Sequence, residues 1–215
     1  MIAQIARPRI VLAALVAALA AGGASPAAAQ APAAPRGYTA ADVTFMQGMI
    51  GHHAQAIVMA NMAPTHGASA QVALYCRKVI ASQRDEIELM QDWLRTPGEK
   101  VPDPRDPHAG MAAMHGGMDM PMGDHEMLMP GMLTAAQLAQ LDSARGPAFD
   151  RLFLTFMIQH HQGALTMVER LFGSPGAGQD DAVFKFASDV SADQSTEIDR
   201  MQTMLDAMGG ERRPR

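Results

Sequence analysis

The sequence predicts an all-α protein: a four-helix bundle with ferritin-like connectivity, built from two repeated helical hairpins joined by a long Met/His-rich linker. Three observations predict it. The stretch Met49-Ile50-Gly51-His52-His53, followed by Met59, recurs 108 residues later as Met157-Ile158-Gln159-His160-His161, followed by Met167. The helix expected after each copy ends alike: Gln83, Glu86-Ile87, Met90 and Leu94 match Gln194, Glu197-Ile198, Met201 and Leu205. Turn signals within each half are short and the connection between halves is long, which is the pattern of two hairpins with one crossover.

Taken in order, residues 1–29 read as a secretory signal peptide. Arg7 and Arg9 precede an apolar run, and Ala27-Ala28-Ala29 is a small-residue cleavage site. The run is short for a bilayer span, and no later stretch is long and apolar enough, so no membrane insertion is expected after cleavage. Residues 30–38 are an Ala/Pro-rich leader, expected to be disordered. The bundle domain follows over residues 39–210, with a first hairpin at 39–96, the linker at 97–133 and a second hairpin at 134–210. Residues 211–215 form a basic tail.

Thr39 and Asp42 have the spacing of a capping box and open a helix expected over residues 40–62. Pro64 and Gly67 turn the chain. The second helix, 69–95, has the stripe Val72, Cys76, Val79, Gln83, Ile87, Met90 and Leu94 in three- and four-residue steps. Thr96-Pro97-Gly98 ends it. Thr134 and Gln137 open a short helix to about 143, interrupted by Gly146-Pro147. A third long helix, 147–172, bears the second His pair. The last, 180–208, has the stripe Val183, Ala187, Val190, Gln194, Ile198, Met201, Leu205 and Met208.

The linker is unusual. Residues 111–132 hold eight of the chain's 19 Met, among Gly and Pro, with His115 and His125. Met118, Met120 and Met122 alternate with other residues. Such a stretch is expected to form no core, and a packing role does not explain so many thioethers. Met is soft and oxidisable, and sulfur favours Cu(I).

On a helical wheel Met46, Met49 and His53 share one stripe with Asp42 and Ala56; Leu154, Met157 and His161 share its counterpart with Asp150 and Ala164. His53 and His161 are therefore expected in the core, facing each other's helices. His52 and His160, at the stripe's edge, are expected to be more exposed. Gln83 and Gln194 lie on apolar stripes and need buried partners, for which a His ring nitrogen is a candidate. A Met one turn before a His puts sulfur and nitrogen on adjacent turns of one face. Imidazole suits Cu, Zn, Ni and Fe, and a core histidine with a filler Met is the bland alternative. The duplication at equal spacing favours metal.

Charge and cysteine content narrow the class. Formal net charge is −5, and −7 once the two Arg of residues 1–29 are removed, which argues against nucleic acid and suits cations. Cys76 is the only cysteine and lies on an apolar stripe, so no intrachain disulfide is available and its role is structural.

The repeated Phe-x6-His-His pattern, the Gln-x2-Glu-Ile-x2-Met ending of each hairpin and Pro130-Gly131-Met132 resemble the family called domain of unknown function 305. The resemblance spans roughly residues 40–208. It implies a ferritin-like bundle in the bacterial envelope and, as in some members, copper binding through His and Met. The matched positions are His52, His53, His160, His161, Met49, Met59, Met157 and Met167; Met46 is echoed by Leu154. Together with Met46 and the linker's His115, Met118, Met120, Met122 and His125, these are the candidate metal ligands. The expectation is an exported, periplasmic or secreted protein that sequesters or carries copper, Cu(I) first and then Cu(II) or Ag(I), with metal ions and a copper-delivery protein as partner classes. The alternatives are a ferritin-like redox enzyme and a helical bundle that binds a partner protein without metal. No Glu-x-x-His occurs in the chain, and Glu86 and Glu197 read as solvated helix faces, so an enzyme is not expected.

Overall fold

The computed structural model describes residues 37–105 and 128–210. The expected signal peptide and most of the leader, the Met-rich stretch from 106 to 127 and the tail lie outside the described residues. Within them the chain is all helical, with five helices and no strand: α1 (Ala40–Ala60), α2 (Ala70–Arg95), α3 (Ala135–Ser143), α4 (Pro147–Gly173) and α5 (Asp181–Gly210). None of these helices is long and apolar enough to cross a membrane.

The starts are set by side chains that satisfy the free N–H groups of a first turn. Thr39 and Asp42 form the full capping box at α1, and Thr134 and Gln137 form it at α3. The Ser69 hydroxyl accepts from Val72 N–H at α2. Helix α4 instead begins at Pro147, whose fixed φ and missing N–H suit a first helical position, behind Gly146 at φ 56°.

The hairpins α1–α2 and α4–α5 pack internally, and α1 also packs on α4. Two buried carboxylates fix that last relationship. Asp42, in the first turn of α1, accepts from Gly178 N–H in the α4–α5 turn at 2.7 Å. Asp150, in the first turn of α4, accepts from Ser69 N–H in the α1–α2 turn at 3.1 Å. Each hairpin thus closes the turn of the other, and α1 and α4 run antiparallel.

The core falls into two apolar clusters. One holds Phe45, Met46, Met49 and Ile50 of α1 with Ile87 to Leu94 of α2, Ala164 to Leu171 of α4 and Val183 to Val190 of α5. The other holds Ala56 to Ala60, Val72 to Val79, Phe149 to Met157, and Met201 with Met204. Between them every long helix contributes buried polar groups: His52 and His53, Gln83, His160 and His161, and Gln194. A polar layer crosses the middle of the molecule.

One expectation about the linker is corrected. Met129, Met132 and Leu133 are buried and join the core. The chain reaches them through Gly131, at φ 74°, which lies so close to Gly163 of α4 that a Cβ on Gly163 would come within 2.0 Å of the Pro130 carbonyl oxygen. Two glycines allow that backbone contact.

Candidate metal centre

All four repeated imidazoles are fully buried, at 0% exposure. This agrees with the expectation for His53 and His161 and corrects it for His52 and His160. Their pairing is also reversed. His52 and His160 face each other, with ring centroids 3.8 Å apart. His53 and His161 turn instead to the second helix of their own hairpin, where they meet Glu86 and Glu197.

Helical phase explains the reversal. Helix α1 packs against both α2 and α4, and residues 45–53 are buried without a break. A helix between two neighbours has two buried faces, so adjacent histidines serve different ones. His52 and His160 point across the α1–α4 contact, whereas His53 and His161 point into their own hairpins.

The hydrogen bonds fix which nitrogen is free. His53 Nε2–H donates to Glu86 Oε2 at 2.5 Å, and His161 Nε2–H donates to Glu197 Oε2 at 2.6 Å. His52 Nε2–H donates to the Pro130 carbonyl at 3.0 Å. A carbonyl or carboxylate only accepts, so in each ring Nε2 carries the proton and Nδ1 keeps its lone pair. Those three Nδ1 atoms, and both nitrogens of His160, are buried with no hydrogen-bond partner among the described residues. An outer carboxylate or carbonyl holding one imidazole nitrogen while the other is presented bare is the arrangement of metal-ligating histidines. Buried polar atoms are otherwise almost always satisfied.

Electrostatics keep the lone pairs available. Burial, then the neighbouring His53, lowers the His52 pKa to about 3, only partly offset by the Pro130 carbonyl. Burial, then His52, His161 and His53, holds His160 well below its usual range. Both rings are neutral at any ordinary pH, and the four imidazoles are close enough to feel one another's charge.

Thioethers flank the layer on both sides. Met46, Met49 and Met167 lie in one apolar cluster, Met59 and Met157 in the other, all buried. At 1.5 Å rise per residue, Met49 and Met157 stand about 5 Å along the axis from the His pair of their own helix, and Met59 and Met167 about 10 Å. Met49 and Met157 are the nearer sulfur donors. Among the described residues no three His, Cys, Asp or Glu side chains form a metal-binding group. The bare imidazole nitrogens and the flanking thioethers are donor types that suit a soft cation of low coordination number. His115, Met118, Met120, Met122 and His125 lie outside the described residues.

Three features were not foreseen from the sequence. Glu86 and Glu197 are not solvated faces but the partners of His53 and His161; their own repetition in both hairpins was the available signal. The Pro130 carbonyl carries no side-chain signature. Gln83 and Gln194 are buried as expected, yet no His nitrogen meets them, and each Oε1 lacks a partner. Cys76 is buried, and burial pushes its thiol up to about 12, which keeps it protonated and inert. Two surface clefts, of about 300 and 500 Å³, are lined by none of the histidines, so the centre is closed off from them.

The family described as Domain of unknown function (DUF305) matches residues 42–205. No curated protein sequence matches the chain at a significant level. Solved structures similar to it include a DUF305 protein from Streptomyces coelicolor, at TM-score 0.63 and 23% identity over 79% of this chain and 94% of that one. A DUF305 fragment from Deinococcus radiodurans has TM-score 0.63 and 25% identity, over 79% and 98%. CopM in its Cu(II)-bound form has TM-score 0.58 and 28% identity, over 77% and 96%. CopM in its Cu(I)-bound and Ag-bound forms is similar as well, at 26% identity and TM-scores of 0.55 and 0.53.

Proposed function

The chain belongs to the DUF305 family, and from that premise we propose that it is an exported, periplasmic or secreted copper-binding protein that sequesters or carries Cu(I), and also takes Cu(II) or Ag(I). The observation that carries this reading is the facing pair His52 and His160, buried between two helices with three ring nitrogens that no described residue satisfies. A neutral, preformed pair of imidazoles among thioethers is matched to a soft cation. It has little to offer Mg²⁺ or Ca²⁺, which take oxygen ligands. The likeness to CopM, whose Cu(I)-, Cu(II)- and Ag-bound structures share the fold, supports the same cargo.

In this reading the four long helices form a bundle with ferritin-like connectivity, and the linker thioethers Met118, Met120 and Met122 capture further soft cations. The protein binds copper without turning over a substrate. Its candidate ligands are paired imidazoles, whereas di-metal oxidases of such bundles use several carboxylates with Glu-x-x-His.

The test is metal analysis of the protein isolated from copper-supplemented periplasm, with zinc and iron measured alongside. Copper in excess of both is expected, and a preparation holding zinc or iron but no copper overturns the reading. In a competition against a Cu(I) chelator, changing Met118, Met120 and Met122 to Leu is expected to lower the number of ions bound. The copper-loaded protein is expected to show no oxidation turnover above free copper. Sustained turnover lost on His53→Ala makes it an enzyme.

A further inference from the structure

The two halves of the centre resemble each other but are not equivalent. The offset of 111 residues that equates Gln83 with Gln194 and Glu86 with Glu197 also equates Tyr75 with Phe186. Tyr75, on α2, reaches across to the other hairpin and donates its hydroxyl to Glu197 Oε2 at 3.3 Å. That same oxygen accepts from His161. Phe186 packs near the His53 ring, at 6.4 Å between centroids, and has no hydroxyl to offer Glu86. Neither carboxylate forms an ion pair with Lys or Arg among the described residues. Among the described residues, then, His53 has a partly exposed carboxylate with no second side-chain donor, while His161 shares one with a buried phenol.

That difference bears on the opposite side of each ring. A carboxylate on one imidazole nitrogen pushes electron density toward the other and raises its basicity as a ligand. A second donor on the same oxygen draws part of that density away. The phenol remains a donor throughout, because burial and the adjacent Glu197 raise its pKa and keep the proton in place. Tyr75 is itself almost fully buried, so water competes little for its hydroxyl.

We propose that Tyr75 ranks the two halves of the centre: by donating to the carboxylate that holds His161, it makes that imidazole the weaker ligand, so that a soft cation engages His53 before His161. The inference rests on the copper-binding reading above and adds an order of loading within it. Tyr75 acts as a positioning residue, through Glu197, and touches no cation itself.

The experiment is a titration of the whole protein with Ag(I), which is diamagnetic and soft, followed by the ring nitrogen resonances of ¹⁵N-labelled histidine. The wild type is expected to show His53 responding before His161, with apparent affinities separated by about tenfold, the lower end of the effect of an outer partner. Tyr75→Phe is expected to close that gap by strengthening the His161 half. Phe186→Tyr, which offers Glu86 the hydroxyl it lacks, is expected to close it by weakening the His53 half. Thermal melts of the metal-free variants report structural damage separately, since a packing role for Tyr75 moves the melting temperature and leaves the loading order alone. Simultaneous loading in the wild type, or an unchanged order in Tyr75→Phe, overturns the ranking while leaving copper binding intact. Absence of any response at the four histidines overturns both.

Discussion

The imidazoles of His52 and His160 lie 3.8 Å apart, tilted by 38°, across the contact between α1 and α4. Both rings are fully buried, and among the described residues His160 has no hydrogen-bond partner on either nitrogen. A core shaped for stability alone would place leucine there.

That comparison gives the first prediction. His160→Leu removes two unsatisfied buried nitrogens and keeps a large apolar group. An unsatisfied buried polar group costs about 1–3 kcal/mol. The metal-free variant is therefore expected to melt higher than wild type, by about 2–12 °C for a chain of this size. Its affinity for Cu(I) or Ag(I) is expected to fall at the same time. Scanning calorimetry beside a chelator competition checks both, and a lower melting temperature with unchanged affinity contradicts the assignment.

The second prediction concerns pH. Folded His52 titrates at about 3, against 6.5 for a free imidazole, because it is buried beside other imidazoles. Below 6.5 the unfolded chain takes up a proton that the folded chain refuses. Stability is then complete above pH 6.5 and declines as pH falls toward 3. The full difference for His52 is on the order of 5 kcal/mol, and His160 adds to it in the same direction. Urea midpoints between about pH 7 and about pH 5, above the range where most carboxylates titrate, are expected to fall with decreasing pH. A flat profile there removes the argument.

Gly163→Ala supplies the third. In an unobstructed helix this change stabilises by about 1 kcal/mol. Here the new Cβ meets the Pro130 carbonyl oxygen at 2.0 Å and its carbon at 2.4 Å. The two backbones must part, and the carbonyl that orients His52 moves with them. Destabilisation by about 2–3 kcal/mol is expected, with a change in the His52 ring signals in the metal-free protein. A gain in stability means that the two backbones have room for a methyl group between them.

The reciprocal carboxylates give the fourth. Asp42 accepts from Gly178 N–H and also closes its own capping box at Thr39; Asp150 accepts from Ser69 N–H through both oxygens. Alanine at Asp42 strands the buried Gly178 N–H, alanine at Asp150 removes the acceptor of the part-buried Ser69 N–H, and each is expected to cost about 1–3 kcal/mol. The two sites lie at opposite ends of α1, roughly 30 Å of helix apart. Their effects are expected to add within about 0.5 kcal/mol in the double variant. Chemical denaturation of the single and double variants measures this.

The helices were legible because their signals are local. Capping residues at Thr39 and Thr134, the Gly146-Pro147 break and the α2 stripe from Val72 to Leu94 each need only neighbours a few positions away, and each stands where the sequence puts it. The histidine pairs were legible as a repeat. Their orientation was not, since a single wheel assumes one buried face and α1 has two. Glu86 escaped because a carboxylate beside an apolar stripe reads as surface until its partner across the hairpin is known. Met129 and Met132 escaped because composition marks the linker as a whole and cannot show where it docks.

The exchanged carboxylates bear on how such a chain arises and how it can be divided. Each half carries a carboxylate, Asp42 or Asp150, that accepts from the turn of the other. This is the relationship between two subunits of a dimer, drawn here within one polypeptide. A hairpin encoded by a single gene half is an incomplete object, but two such hairpins carry matching ends and complete each other by reciprocal exchange. Fusion keeps that exchange within one chain and lets the two halves carry different residues, Tyr75 in one and Phe186 in the other.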